Sequence, residues 1–257
     1  MALKIYDLAN GLAEFEVSGS APAAVTISDP NGNDVAALHF NITGSETREE
    51  LIEKSSSATK RINQGTKYWV GYNLKVPPGG FAPSSFCVLG FQTHTDISAQ
   101  NSPVNEVRIN GSSPYVITAA SNPSLPNDAE EIDITQYYPN DAFVQHTWEI
   151  INSEGSDSLA RLYINNNPVA VAEWLTAGSL NPADGGKTYL KWGLYGSQGP
   201  APIEIHLVKE IRVFVGEDGF DEVAVNFGST PAPNSGNFNF MGSSIPIFGN
   251  TLARFGS

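Results

Sequence analysis

Three short segments of the chain, residues 47–51, 91–94 and 189–195, contain side chains that can hold charge or transfer a proton. Their candidate residues, in chain order, are Arg48, Glu50, Gln92, His94, Tyr189, Lys191 and Tyr195. Imidazole and phenol groups can act as general acids or bases, and guanidinium and amide groups can stabilise negative charge as it develops. Such chemistry requires the segments to lie side by side, so the elements that carry them decide whether a site exists.

The third segment has the alternation of a β-strand, in which every second side chain points to the same face. Its polar face would carry Tyr189, Lys191, Gly193 and Tyr195, and its apolar face Leu190, Trp192 and Leu194. Gln92 and His94 share a face in the same way. A face that combines aromatic rings with hydrogen-bonding groups suits a sugar, whose rings stack on aromatics and whose hydroxyl groups need fixed partners.

The rest of the sequence also predicts β-strands. Alternating or β-branched segments, bounded by Gly, Pro, Asn and Ser clusters, predict strands at residues 24–28, 35–40, 68–76, 86–92, 106–109, 115–119, 148–151, 159–164, 169–174, 189–195 and 203–215. Residues 161–171 indicate a hairpin, because the asparagines of its turn tolerate positive φ. The helical signal is a single turn at residues 46–53. The predicted fold class is all-β, a sandwich of two antiparallel sheets.

The composition changes near residue 216. Residues 1–215 form the predicted sandwich domain, and residues 216–257 form a C-terminal extension rich in Gly, Asn and Phe. A linker would not carry the aromatic residues Phe227, Phe238, Phe240, Phe248 and Phe255. We expect residues 226–257 to cross a surface as extended chain, with Phe238, Phe240, Phe248 and Phe255 in apolar pockets. That surface is either the chain's own sandwich or a neighbouring subunit.

Composition and charge limit the partners. The 257 residues include 27 acidic and 14 basic side chains, which gives a formal net charge of -13 at pH 7. This charge repels nucleic acid and anionic membranes, so we expect neither as a partner. The sequence shows no membrane span and no signal peptide at its N-terminus. Cys87 lies in an apolar run, which predicts an inert buried thiol.

The three segments resemble the motifs of jelly-roll polysaccharide lyases, the alginate lyases of polysaccharide lyase family 7 and the related glucuronan lyases. The family pattern is Arg-Ser/Thr-Glu-x-Arg, then Gln-Ile/Val-His, then Tyr-Phe-Lys-Ala-Gly-x-Tyr-Asn-Gln. This chain has Arg48-Glu49-Glu50-Leu51-Ile52, then Gln92-Thr93-His94, then Tyr189-Leu190-Lys191-Trp192-Gly193-Leu194-Tyr195. It departs from the pattern at Ile52, where the family has a second Arg, and after Tyr195, where Gly196-Ser197-Gln198 replaces Asn-Gln. The resemblance spans residues 48–195 and implies a concanavalin A-like jelly roll.

The resemblance also implies a reaction, the β-elimination of a uronate-containing polysaccharide of the alginate or glucuronan type. Arg48 and Gln92 would neutralise the uronate carboxylate and hold the enolate-like charge that forms when C5 loses its proton. Tyr195 would protonate the leaving oxygen and act as the base in a syn elimination, whereas His94 would be the base in an anti elimination. The substrate-binding residues would be Glu50, Lys191 and Tyr189. The scheme implies no metal and no cofactor, and its partner is an acidic polysaccharide, outside the cell or at a particle surface.

Other interpretations stay open. A non-catalytic glycan-binding or structural subunit, for example of a virus particle or surface appendage, is favoured by the acidic charge and the C-terminal extension. Glu131-Ile132-Asp133 resembles part of the Glu-x-Asp-x-x-Glu strand of family 16 glycoside hydrolases, but Thr135 and Gln136 stand where the third carboxylate is required. The same carboxylates, with Glu130, could instead bind calcium through oxygen ligands.

Overall fold

The computed structural model describes residues 2–43, 47–54, 62–82, 86–95, 104–111, 116–121, 130–153, 157–175, 187–197 and 202–227. Within these ranges the strands are β1 (Ala2–Asp7), β2 (Phe15–Gly19), β3 (Ala23–Ser28), β4 (Asp34–Ile42), β5 (Arg48–Glu53), β6 (Ile62–Asn63), β7 (Lys67–Lys75), β8 (Phe86–Thr95), β9 (Asn105–Asn110), β10 (Val116–Ser121), β11 (Glu130–Asp133), β12 (Phe143–Ile151), β13 (Leu159–Ile164), β14 (Ala172–Trp174), β15 (Lys187–Ser197) and β16 (Ile203–Val215). The helical elements are two 3-10 turns, Leu8–Asn10 and Thr135–Tyr137, and the one-turn helix α1 (Phe220–Val223).

The strands form two antiparallel sheets of eight strands each. The first has the order β14-β13-β12-β7-β16-β4-β3, with β1 also paired to β16. The second has the order β11-β10-β9-β8-β15-β5-β2, with β6 also paired to β15. The predicted two-sheet jelly roll is therefore confirmed. In the described ranges, no helix has the length and apolarity that a membrane crossing needs.

The core lies between the sheets and is built from the alternate apolar side chains of both. On β15, Leu190, Trp192 and Leu194 are fully buried, as the alternation predicts. Phe91 of β8 packs against Trp148 of the first sheet, with 6.0 Å between the ring centroids. Burying rings of this size contributes roughly 1.5–3 kcal/mol each, which fixes the faces of both strands. The intervening residues of β8 and β15 therefore point away from the core, onto what we call the site face of the second sheet.

Cys87 belongs to this core. Its side chain is fully buried, and burial raises the pKa of its thiol to about 12. The thiolate is the reactive form of cysteine. The prediction that this thiol is buried is confirmed, and its inertness stays a prediction.

Residues 48–53 form strand β5, so the predicted helical turn is wrong. This strand is hydrogen-bonded between β15 and β2, and its Leu51 is fully buried in the core. These tertiary contacts outweigh the helical propensity of Glu and Leu, which differs from that of strand formers by less than about 1 kcal/mol per residue. The strand predicted at residues 169–174 is shorter than predicted. It begins at Ala172, and Val169 is exposed.

The hairpin between β13 and β14 turns where its sequence predicts. Asn165 and Asn166 have φ angles of 54° and 56°. Two consecutive residues with positive φ characterise the type I′ turn, whose twist matches that of the flanking strands.

Residues 216–227 cross the outer face of the first sheet. The indole nitrogen of Trp69 donates to main-chain carbonyl oxygens at the start of this segment, and the ring of Phe227 packs edge-on against Phe143. The described part of the extension therefore packs on the chain's own sandwich. Residues 228–257, which carry the other phenylalanines of the predicted arm, lie outside the described residues.

Gly71 of β7 lies beneath this segment. A Cβ atom at this position would lie 1.9 Å from the carbonyl oxygen of Val223. Gly71→Ala therefore requires the segment to move, and we expect it to lower the free energy of unfolding by about 1–3 kcal/mol. Denaturant unfolding measures this loss, and an unchanged midpoint would show that the segment does not pack here in solution.

Candidate functional site

The seven candidate residues lie on β5, β15 and β8, which are neighbours in the middle of the second sheet. In the register, Tyr195 faces Arg48, Gly193 faces Glu50, Lys191 faces Gln92, and Tyr189 faces His94. All seven side chains therefore share the site face. The sequence predicted a common face within the second and third segments, the strand β5 adds the first, and the strand order brings the three segments together.

Glu50 is the centre of a network of buried polar side chains. It accepts a hydrogen bond from Nε2 of Gln92. Its Oε2 lies 3.1 Å from Nε of Arg48 and 3.6 Å from Nζ of Lys191. One carboxylate thus holds an amide and two cations in fixed positions.

Glu50 and Gln92 meet across β15 at the level of Gly193. Their strands flank β15, so the two backbones are about 9.6 Å apart, two strand spacings. Gly193 faces Glu50 in the register and presents no side chain between them. Its φ is 133°, and a Cβ atom there would lie 2.2 Å from the carbonyl oxygen of Glu49, so a larger residue does not fit.

Burial makes the charges of this network depend on one another. Glu50 is 1% exposed and Lys191 is 6% exposed. Burial raises the pKa of Glu50, against the opposing effect of the Lys191 and Arg48 charges. Burial lowers the pKa of Lys191, against the opposing effect of Glu50. Because a charge removed from water is costly unless it is paired, each ion here stabilises the charged form of the other.

His94 is a third buried titratable group of the network. Its Nε2 lies 3.1 Å from Oε1 of Gln92, and its ring stacks on Tyr189 with 5.4 Å between centroids. Since Gln92 directs its NH₂ group to Glu50, its oxygen is the acceptor that faces His94. Neutral His94 therefore carries its proton on Nε2 and has a free lone pair on Nδ1. Burial, followed by the charges of Lys191 and Arg48, lowers its pKa to about 3, so the lone pair is available throughout the neutral range.

This low pKa makes a contribution to stability that depends on pH. The unfolded chain protonates His94 near pH 6.5, whereas the folded chain does so only near pH 3. The contribution is therefore fully present above about pH 6.5 and is lost as the pH falls towards 3. We expect His94→Asn to flatten the decline in unfolding free energy between those pH values, measured by denaturant titrations. An identical pH dependence of the unfolding free energy in the wild-type protein and the His94→Asn variant would contradict this prediction.

Arg48 and Tyr195 form a less buried part of the site. The guanidinium carbon of Arg48 lies 4.6 Å from the centroid of the Tyr195 ring, and its Nη1 donates to Oγ of Ser18 at 3.3 Å. The Arg48 side chain is nevertheless 39% exposed. Arg48 is thus held in place and can still meet an anion from solvent, beside the ring of Tyr195.

The site face continues over β9 with two residues that the motifs did not indicate. Glu106 faces Gln92 in the register, and burial raises the pKa of its carboxyl to about 7. Nη1 of Arg108 donates to Oε1 of Glu106 at 2.9 Å, and the same guanidinium is also paired with Glu131 on β11. The alternation of Glu106 and Arg108 with the buried Val107 is the sequence signal that places both on this face.

Two carboxylates of β11, those of Glu131 and Asp133, are bound by protein groups. Glu131 accepts hydrogen bonds from Arg108, from Asn110 at 2.9 Å and from Thr118 at 3.1 Å. Asp133 accepts one from the main-chain nitrogen of Thr135 at 2.9 Å. Among the residues that the structure describes, no group of three His, Cys, Asp or Glu side chains is arranged to hold a metal ion. The calcium interpretation therefore gains no support.

Comparison with known proteins identifies the fold. The sequence matches no protein-family model and no curated protein, but solved structures match. An endo-β-1,4-glucuronan lyase from the fungus Trichoderma reesei gives a TM-score of 0.55 at 12% identity, over 82% of this chain and 94% of its own. The alginate lyase Aly36B, a variant in complex with alginate trisaccharide, gives 0.53 at 11% identity, over 80% and 100%. Alginate lyase A1-II′, a member of polysaccharide lyase family 7, gives 0.50 at 14% identity, over 74% and 82%. The chain thus has the jelly-roll fold of these polysaccharide lyases, as the resemblance of its motifs implied.

Proposed function

We propose that the chain is a lyase that cleaves a uronate-containing polysaccharide by β-elimination. The observation that carries the proposal is the continuous network on the site face, which joins Arg48, Glu50, Gln92, His94, Lys191 and Tyr195. The network contains cations and an amide for an acidic group, and an imidazole and a phenol for proton transfer.

Binding of the uronate begins at its carboxylate. While this group is charged, the hydrogen at C5 is barely acidic, because its removal would place a second negative charge beside the first. Arg48 and Lys191 neutralise the carboxylate, and their own positions are set by Glu50 before substrate arrives. Groups that need not reorganise during the reaction stabilise the enolate-like state most effectively.

The elimination transfers one proton from carbon and one to oxygen. The C5 proton moves to the base, the bond from C4 to the linking oxygen breaks, and a double bond forms between C4 and C5. Tyr195 gives its hydroxyl proton to the leaving oxygen. When C5–H and the leaving group are on the same side of the ring, Tyr195 also removes the C5 proton. His94 faces Tyr189, six residues from Tyr195 along β15, and this separation of about 20 Å along the strand is too large for His94 to be the base of an anti elimination in which Tyr195 is the acid.

The test is a screen of polymannuronate, polyguluronate, polyglucuronate and mixed uronate polymers for unsaturated uronate ends, detected by their ultraviolet absorbance. We expect wild-type protein to produce such ends from at least one polymer. Gln92→Ala should slow the reaction by about 10²-fold or more, because it removes a charge-stabilising donor and releases His94. A folded wild-type protein that yields no unsaturated ends from any uronate polymer would end the proposal.

The second candidate function is glycan binding without cleavage. It is favoured by Ile52, which stands where the lyase motif has its second Arg and faces Lys191 in the register. One cation of the lyase pattern is thus replaced by an apolar side chain. Retention of a uronate polymer in an affinity gel without any cleavage would favour this function over the first. Either function suits a protein that works outside the cell or at a particle surface.

A further inference from the structure

The site face has two halves of different charge. On β5 and β15, the cations Arg48 and Lys191 share one carboxylate, Glu50. We call this the basic half. On β9 and β11, the single cation Arg108 is shared by Glu106 and Glu131, and Asp133 lies two residues from Glu131 on the same face of β11. We call this the acidic half.

The acidic half has hydrogen-bonding capacity that the protein does not use. Glu106 is 1% exposed. Its Oε2 and Nε of Arg108 have no hydrogen-bond partner in the part of the chain that the structure describes. Leaving such buried atoms unpaired costs about 1–3 kcal/mol each. A hydroxyl group both donates and accepts, so the hydroxyl groups of a sugar can satisfy a carboxylate oxygen and a guanidinium nitrogen together.

Phe86 connects the two halves. Its ring lies edge-on to Tyr195, with 6.5 Å between centroids, and the guanidinium of Arg108 lies 5.6 Å from its centroid. Arg48, Tyr195, Phe86 and Arg108 thus form a row across β5, β15, β8 and β9, in which two rings lie between two cations. A sugar chain that crosses the strands along this row passes from the basic half to the acidic half.

We propose that the acidic half is a subsite for an uncharged sugar, and that the substrate is an acidic heteropolysaccharide in which uncharged sugars separate the uronates. The inference rests on the proposed function, because a uronate must occupy the basic half. A homopolymer of uronates would bring a second carboxylate against Glu131 and Asp133, and opposing like charges weaken binding. An uncharged sugar meets hydrogen-bond partners instead of repulsion.

The first experiment compares polymers that contain the same uronate. Polyglucuronate has a carboxylate on every sugar, whereas hyaluronan and deacylated gellan have glucuronates separated by uncharged sugars. We expect kcat/KM for release of unsaturated ends to be about tenfold or more higher on one of the two heteropolymers than on polyglucuronate. A preference of the wild-type protein for polyglucuronate would overturn the inference while leaving the proposed function intact.

The second experiment changes the charge of the acidic half. Glu131→Gln combined with Asp133→Asn removes two negative charges and releases Arg108 from one of its carboxylates. We expect the preference for the heteropolymer to fall by about tenfold, mainly through faster cleavage of polyglucuronate. If the double variant does not fold, Asp133→Asn alone should shift the preference in the same direction. A folded variant with an unchanged preference would contradict the proposal.

Glu173→Gln is the matched control. Glu173 is 40% exposed and paired with Arg161 at 2.6 Å on the first sheet, much as Glu131 is 36% exposed and paired with Arg108. This control should leave the substrate preference unchanged. If no polymer yields unsaturated ends, the proposed function fails, and the preference is then measured as retardation in gels that contain each polymer. Equal or stronger retardation by polyglucuronate would overturn the inference in that case.

Discussion

Tyr195→Phe is expected to lower the rate of uronate cleavage by about 10²–10⁴-fold while leaving the affinity for the polymer nearly unchanged. The substitution keeps the ring, and therefore its contact with Arg48, but removes the hydroxyl group that protonates the leaving oxygen. The loss should appear in kcat and in kcat/KM to a similar extent, because the proton transfer occurs only in the transition state. Steady-state kinetics on the preferred polymer and affinity gel electrophoresis measure the two quantities separately.

Tyr189→Phe provides the comparison, since it also removes one hydroxyl group from the same face of the same strand. Tyr189 stacks on His94 through its ring, and this contact survives the substitution. We expect a rise in KM of a few-fold with little change in kcat, the pattern of a residue that binds substrate and transition state equally. Equal kinetic losses in the two variants would show that Tyr195 has no special role. A wild-type protein that binds a uronate polymer without cutting it would favour the non-catalytic function instead.

The sequence reveals the β-sandwich because its signals are local. Alternation places Leu190, Trp192 and Leu194 in the core without knowledge of any partner strand, and the asparagines of the β13–β14 turn tolerate positive φ wherever they occur. Strand β5 is different. Its residues 48–53 contain good helix formers, and only the pairing with β15 and β2, which are distant in sequence, makes them a strand. Local propensity cannot report such pairing.

The site, like the fold, can be predicted from the sequence only where its signals are local. The shared face of Tyr189, Lys191 and Tyr195 follows from the period of two. The central position of Glu50 does not, because its partner Gln92 is 42 residues away and on a strand that is not its direct neighbour. Glu106 is harder still to place, since the register between β8 and β9 shifts between Val88 and Gln92. A pattern within one strand contains no information about a shift between two strands.

Glu50→Ala is expected to lower the free energy of unfolding by about 3–5 kcal/mol. The substitution removes the carboxylate that accepts from Gln92 and pairs with Lys191, and Lys191 is only 6% exposed. It leaves a buried ammonium group without its counter-ion, which either loses its proton or draws water into the site. It also frees the Gln92 amide to turn, so the variant should lose cleavage activity together with stability. Denaturant unfolding at neutral pH measures the change.

Two further variants distinguish the buried pair from an ordinary salt bridge. Glu14→Ala breaks the exposed ion pair between Lys4 and Glu14, whose side chains are 37% and 45% exposed, and it should cost no more than about 1 kcal/mol. Adding Lys191→Met to Glu50→Ala removes the stranded charge and should restore a large part of the lost stability, though none of the activity. If Glu50→Ala lowers the free energy of unfolding by no more than Glu14→Ala does, the charged groups of the site face are solvated in solution. The carboxylate of a bound uronate would then have to compete with water for Arg48 and Lys191.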